Sequence, residues 1–409
     1  MTTRTVALVV PIVLVLAGCA APATVLKDAN VDLRPEALLS VKGANYDGIM
    51  GYFWSGSSGK NASVEFDLAI PEGFWQSHVG AVEASVAWAH DADASFVVTI
   101  TGSGGSARGT NGWYASVALI ENAAPGTYKV EVSGSGRSSS GFDGVIQVDA
   151  RPKVAPDGHS MLPNLVTIPP SDIRIQAPDL FVGLPVAKGC GFDESAEHRA
   201  MRCLRVSNGV GNIGEGPLEV RLALTEAAKA PAGMGFWMQR IHLDDGKVKE
   251  VPVGNAVFHA THGHWHYAGL ARFELYHYDL EEQKRGDTVG KGNKNGFCFF
   301  DIGLVKLGLP GTTKRTFSGD GCLIPQENQG PAAWYMGLSP GWFDFYVWSL
   351  PDQYVEISGV PDGVYELVST ANGMGTLIET DKTDNSASAV IELKGDQVKT
   401  LKAWADFKA

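Results

Sequence analysis

The chain has 409 residues, 44% hydrophobic and 19% charged, which is long enough for two folded domains and too apolar for a disordered chain. Its formal charge of −12 argues against a nucleic-acid partner, which needs a basic surface, and favours cationic ligands such as amines or lysine-rich chains. Its 49 glycines and frequent turn signals point to β structure.

In chain order, Arg4 precedes an apolar stretch from Val6 to Leu16, too short to span a bilayer and suited to the core of a signal peptide over 1–18. Leu16-Ala17-Gly18-Cys19 resembles the bacterial lipobox, whose cysteine is lipidated; an ordinary secretory signal cleaved nearby is the alternative. Either reading predicts a mature chain outside the cytoplasm, in the cell envelope. The first adds a membrane anchor at Cys19, with 19–42 as tether. Residues 43–150 alternate and turn like an all-β domain, with strands over Ser63–Ile70, Ser95–Thr101 and Pro125–Val132, and a Gly/Ser loop over Ser133–Gly141. This region reads as a β-sandwich or jelly roll with no chemical constellation, hence a binding or spacer module. Residues 151–160 read as a linker, 161–395 as a larger strand-rich catalytic domain, and 396–409 as a tail. Helical periodicity is scarce, with Leu222–Ala230 the best short candidate. The expected fold class is all-β.

With Cys19 assigned to the lipid, four cysteines remain: Cys190, Cys203, Cys298 and Cys322. Three pairings are possible, and closeness in sequence favours Cys190–Cys203 and Cys298–Cys322 in an oxidising compartment. A cysteine–zinc site lacks the usual Cys-x-x-Cys spacing.

Four of the ten histidines lie between His259 and His266, and His262, His264 and His266 alternate strictly. On one strand their imidazoles would share a face, a donor set suited to copper, zinc or nickel. A straight strand would hold the outer Cα atoms about 13 Å apart, barely spanned by two imidazoles and two metal bonds. The strand must therefore bend, or the outer pair must bind roughly trans, which copper(II) accepts more readily than tetrahedral zinc.

Phe258 to His266 has the histidine spacing of the lysyl oxidase motif Trp-His-x-Cys-His-x-His-x-His, with Phe258 and Thr261 replacing Trp and Cys. Tyr276-His277-Tyr278-Asp279-Leu280, Lys294-Asn295-Gly296-Phe297-Cys298, Gly337 to Tyr346, Val360 to Tyr365 and Glu379 to Asn385 are similar, in order, to further motifs of that family. The resemblance covers about 160–395. It implies a copper amine oxidase that builds lysine tyrosylquinone from its own lysine and tyrosine, here Lys294 and Tyr346. Taken alone, these two would be an ordinary solvated lysine and a core aromatic. Asp344 is the candidate base, because a strand would place it on the face of Tyr346. His259 and His277 are read as supporting residues rather than ligands.

The resemblance also implies a calcium site. Glu379, Asp381, Asp384 and Asn385 match an acidic family turn, and Asn164 and Leu165 match a Leu-Pro-Asp-Leu segment, with Asn164 replacing its aspartate and Asp384 replacing an asparagine. The expected activity is oxidative deamination of peptidyl lysine or a primary amine by O2, giving an aldehyde, H2O2 and ammonia. Animal members carry more disulfides, and four extra residues follow the triad here, so a catalytically silent copper-binding or adhesion protein of the cell surface is the alternative. A zinc hydrolase is a third reading, without a His-Glu-x-x-His motif to support it.

Overall fold

The structure is a computed structural model that describes residues 24–26, 51–57, 62–68, 70, 73–90, 92–136, 140–175, 202–229, 235–259, 263–292, 294, 296–327, 331–350 and 352–407. The expected signal peptide, Cys19, Cys190 and His262 lie outside the described residues. Nearly all regular structure is β, as the composition and turn spacing predict. Among the described residues no helix is long and apolar enough to cross a membrane.

The chain divides into two compact units, the first drawing on 46–111 and 116–153, the second on 112–115 and 154–409. The first unit contains two five-stranded sheets. One holds Ala62–Leu68, Ala94–Gly102 and Gly126–Gly136; the other holds Gly51–Ser57, His78–Ala87 and Gly141–Pro152. Alternation explains the packing. Phe96, Val98 and Ile100 are buried while Ser95 and Thr101 on the same strand are exposed, and Tyr128, Val130 and Val132 repeat the period. Trp54, Phe96 and Phe142 stack edge-on or tilted, with centroids 5.0 to 5.1 Å apart. The strand Gly141–Pro152 takes in Arg151 and Pro152 from the predicted linker, so only 153–159 are irregular before the short strand Ser160–Met161.

Among its described residues the second unit has three antiparallel sheets. The largest runs through Gly296–Phe297, His264–Ala268, Val248–His259, Gly235–Leu243, Leu218–Ala223 and Ala333–Leu338. A second runs through Leu165–Ile175, Cys203–Asn212, Trp342–Tyr346 and Gly303–Leu304. The third contains Ala271–Asp279, Gly363–Ala371 and Ser386–Lys394, and ends on Gln397–Ala405. That last strand corrects the predicted tail over 396–409: residues 397–405 pair along Ser386–Lys394 with a shift of register between Val390 and Ile391. The predicted helix at Leu222–Ala230 is a single short turn of helix, Leu224–Lys229. A core of Trp237, Tyr267, Phe297, Phe299, Met336 and Leu338 lies beneath the first sheet, with Tyr346 packed against it.

Candidate metal and cofactor site

Of the predicted triad, His264 and His266 fall within the described residues and share one strand. Val248–His259 and His264–Ala268 form a hairpin in which His259 pairs with His264 and Val257 with His266. The chain reverses through Gly263, whose φ of 68° favours glycine, and the Gly263 N–H donates to the His259 carbonyl at 2.8 Å. The strand therefore starts at His264, and only His264 and His266 alternate on it. Their Nε2 atoms stand 2.9 Å apart, close enough for adjacent corners of one coordination sphere with bonds of about 2 Å. The His259 ring lies stacked 5.1 Å from that of His266. His277 lies on Ala271–Asp279 with its ring 5.2 Å from Tyr365. Among the described residues no group of three or more His, Cys, Asp or Glu side chains is arranged to hold a metal, His262 being outside them.

Two contacts hold His266, one at its main chain and one at its ring. The Trp237 indole N–H donates to the His266 carbonyl at 3.0 Å. On the other side, a Cβ on Gly296 would come within 2.5 Å of His266 Nδ1, so the neighbouring strand approaches the imidazole at a distance only glycine permits. That neighbour is Gly296–Phe297, paired to Tyr267 and Ala268. Nothing in the sequence pattern marks Gly296 for this role, because the approach is made by a segment thirty residues away.

Lys294 lies two residues upstream and is only 7% exposed, unlike the solvated lysine its glycine-rich surroundings suggest. Its Nζ stands 5.1 Å from the centroid of the Tyr346 ring and 5.3 Å from that of Phe297. The Phe297 and Tyr346 rings meet edge-on at 5.1 Å, and the Tyr346 hydroxyl donates to the Cys298 carbonyl. Cys298 forms a disulfide with Cys322, which tethers this segment to the helix Asp320–Leu323. Cys203 is also disulfide-bonded.

Tyr346 and Asp344 both lie on Trp342–Tyr346, in register with Asn208 and Val210. Asp344 is buried. Its Oδ1 accepts the Phe345 N–H at 2.9 Å, and Oδ2 has no hydrogen bond. Burial pushes the Asp344 carboxyl well above the usual carboxylate range, while the Tyr346 hydroxyl and the Lys294 charge pull the other way. Burial, and then the charge on Asp344, likewise hold the Tyr346 phenol well above its ordinary value. Amine, phenol and carboxyl thus lie together, and the segment bearing the amine runs into the strand paired next to the one that bears the two imidazoles.

The other predicted group is drawn together by the segments 163–165 and 379–385. Glu379 is a staple: Oε2 accepts the Leu165 N–H at 2.9 Å, and Oε1 accepts amide N–H groups of Asn372 at 2.6 Å and Asn385 at 2.9 Å. Burial still raises its carboxyl above the ordinary range. Asn164 donates to Asp384 Oδ2 at 3.0 Å, and Asp381 Oδ1 accepts both the N–H and hydroxyl of Thr383. Three oxygens of this cluster are buried without a hydrogen bond: Asn164 Oδ1, Asp384 Oδ1 and Asn385 Oδ1. Orphaned oxygens in such number, beside a carboxylate, have the chemistry a hard cation requires.

Comparison with known proteins follows the same residues. Residues 246–403 match the family described as lysyl oxidase. Lysyl oxidase homolog 1 of Bos taurus is 28% identical over 145 residues, which are 35% of this chain and 21% of that protein. Protein-lysine 6-oxidase of Homo sapiens is 29% identical over 138 residues, 34% of this chain and 28% of its own length, and that of Sus scrofa is 28% identical over 47% of its length. The chain thus spans less than half the length of these curated relatives. The matched stretch contains His264, His266, Lys294, Asp344 and Tyr346, so the likeness to the lysyl oxidase family falls on the residues of this site.

Proposed function

We propose that the protein is an exported amine oxidase that binds copper through His262, His264 and His266 and derives lysine tyrosylquinone from Lys294 and Tyr346. The observation that carries this reading is the placement of Lys294 Nζ over the Tyr346 ring, 5.1 Å from its centroid, next to the strand that bears the two converging imidazoles. The donor set fits copper: two ring nitrogens 2.9 Å apart are already at a spacing one metal would satisfy. Bound copper with O2 would supply the oxidising equivalents that turn the Tyr346 phenol into a quinone and, once the Lys294 amine has added, return the reduced adduct to the quinone level, where its carbonyl can condense with a primary amine.

The chain's own residues have separable tasks. Burial keeps Lys294 beside the ring and away from solvent. The Tyr346 hydroxyl is oriented by the Cys298 carbonyl. Asp344 Oδ2 is buried without a hydrogen bond, and burial raises the carboxyl's affinity for a proton, as the role of general base requires. Calcium is proposed at Asn164, Asp384 and Asn385, with Leu165, Glu379 and Asp381 shaping the loops that hold them. Substrates are peptidyl lysine or primary amines, with O2 as oxidant. A lipid anchor at Cys19 would place the protein at a membrane in the cell envelope.

The test is direct. Protein loaded with copper in air should develop a visible quinone band and react with phenylhydrazine, and Lys294→Ala and Tyr346→Phe should do neither. A colourless, phenylhydrazine-inert protein that still binds copper would leave a silent copper-binding surface protein as the correct reading.

A further inference from the structure

Asp301 is fully buried, and its carboxylate collects four donors. Oδ1 accepts the Ser339 N–H at 2.8 Å. Oδ2 accepts the Ser339 hydroxyl at 2.7 Å and the N–H groups of Thr316 and Phe317 at 2.9 and 3.0 Å. Its main-chain carbonyl accepts Arg315 Nε–H at 2.9 Å. These partners come from two separate stretches. Thr316 and Phe317 precede the helix that carries Cys322, and Ser339 opens the turn that launches Trp342–Tyr346. Asp301 itself follows Lys294 and Cys298 on one continuous segment.

We propose that Asp301 is a positioning residue of this site, pinning the segment that bears Lys294 against the strand that bears Tyr346. The proposal rests on the reading of Lys294 and Tyr346 as the cofactor pair. Backbone bonds alone give the segment a short grip: Ile302 N–H to the Phe343 carbonyl and Val305 N–H to the Gly341 carbonyl, both 2.9 Å. Pairing covers only Gly303 with Phe343 and Leu304 with Trp342. A pairing this short specifies register weakly, and a slip of one residue would turn each side chain to the opposite face. Asp301 sits at the end of that pairing nearest Cys298, whose carbonyl holds the Tyr346 hydroxyl.

Only a carboxylate suits the place. Four donors converge on two oxygens, and an amide would turn its own N–H2 towards at least one of them. Burial pushes the Asp301 carboxyl upward and the four donors pull it back, so the donors favour the charged form against the cost of burial. That charge is felt by Asp344, which it holds higher. Asp301 therefore holds the approach of the amine to the ring and adds a small upward push to the neighbouring acid, whose shift comes first from burial.

The experiment compares wild type, Asp301→Asn and Ser339→Ala as full-length proteins in two measurements. Metal-free protein is treated with acetic anhydride, and labelling of Lys294 is read by peptide mass against exposed Lys247. Loss of the pin should raise Lys294 labelling at least about tenfold in Asp301→Asn, and less in Ser339→Ala, with Lys247 unchanged. Copper is then added in air and the Lys294–Tyr346 cross-linked peptide is followed. Its formation should slow by about 100-fold in Asp301→Asn, the cost of misplacing reactants by an ångström. Ser339→Ala keeps the carboxylate and all backbone donors, so it decides the matter if Asp301→Asn unfolds. Unchanged Lys294 labelling in Ser339→Ala and in folded Asp301→Asn overturns the proposal. Raised labelling in a protein whose wild type never cross-links retains the pin and sinks the oxidase reading instead.

Discussion

Glu83 in the first unit and Asp344 in the second are both buried carboxyl groups on β-strands, and burial drives both above the ordinary carboxylate range, Glu83 to about 8. Their surroundings differ. Glu83 Oε1 accepts the Ser85 hydroxyl and Oε2 accepts the Gln147 amide at 2.6 Å, so both oxygens are engaged, with the charge of Asp149 adding to the upward push. Asp344 has one oxygen on the Phe345 N–H and the other open, within reach of an amine and a phenol. A satisfied buried acid serves the fold, whereas an unsatisfied one costs stability and persists where chemistry needs it.

The sharpest way to break this contrast is Asp344→Asn. An amide cannot take up a proton, so turnover of a primary amine should fall by about 10²–10⁴-fold while copper still binds. In the wild type kcat/KM should rise with pH as Asp344 ionises, with the rise displaced above the usual carboxylate range. Stability should run the other way. A carboxyl raised in the folded state contributes most below its unfolded value near 4, and that contribution is lost as pH climbs towards the folded value. Asp344→Asn should flatten this decline in thermal melts of metal-free protein. Undiminished turnover in the variant would remove Asp344 from the chemistry.

Gly296→Ala probes the imidazoles rather than the acid. Its new methyl would meet His266 Nδ1 at 2.5 Å, so the ring must turn, and copper affinity should drop by about 10–100-fold by direct titration. Phenylhydrazine reactivity at saturating copper should largely return, which separates a displaced ligand from a lost reactant. Removing calcium should act on the fold alone. Chelation should lower stability by about 2.7 kcal/mol relative to calcium at a hundred times its dissociation constant, and Asp384→Ala should abolish that difference.

The residues legible in the sequence are those whose signal is local. Strict alternation singled out His264 and His266, whose rings the structure brings together, and apolar alternation drew the strands of the first unit. The site's other half was not local. Lys294 sits in a loop of glycines and asparagines that reads as solvated, and the aromatic run around Tyr346 reads as core. Only resemblance singled them out, because segments distant in sequence bring them together. Gly296 and Asp301 carried no signal at all: one matters through a neighbour's closeness, the other through donors from Thr316, Phe317 and Ser339. The final strand was hidden for another reason. Gln397–Ala405 is an edge strand with Lys399 and Lys402 along it, and the register shift opposite Val390 and Ile391 breaks its period.

The smallest expected effect on activity belongs to Glu83→Gln, and it tests the other arm of the comparison. Glutamine keeps an acceptor for the Ser85 hydroxyl and ends the titration, and Gln147, whose amide oxygen has no hydrogen bond, can turn to accept the new N–H2. In the wild type, Glu83 titrates near 4.5 when unfolded and at about 8 when folded, so its contribution is complete below about 4.5 and is lost as pH rises through about 8. The decline has a slope of at most about 1.4 kcal/mol per pH unit, and Asp149 shares in it because the two acids compete for one proton. Glu83→Gln should remove that slope from the melting curve of the first unit and leave kcat/KM for amines unchanged across the same range. If instead it lowers turnover as deeply as Asp344→Asn does, engagement of its oxygens is no guide to which buried acid does chemistry.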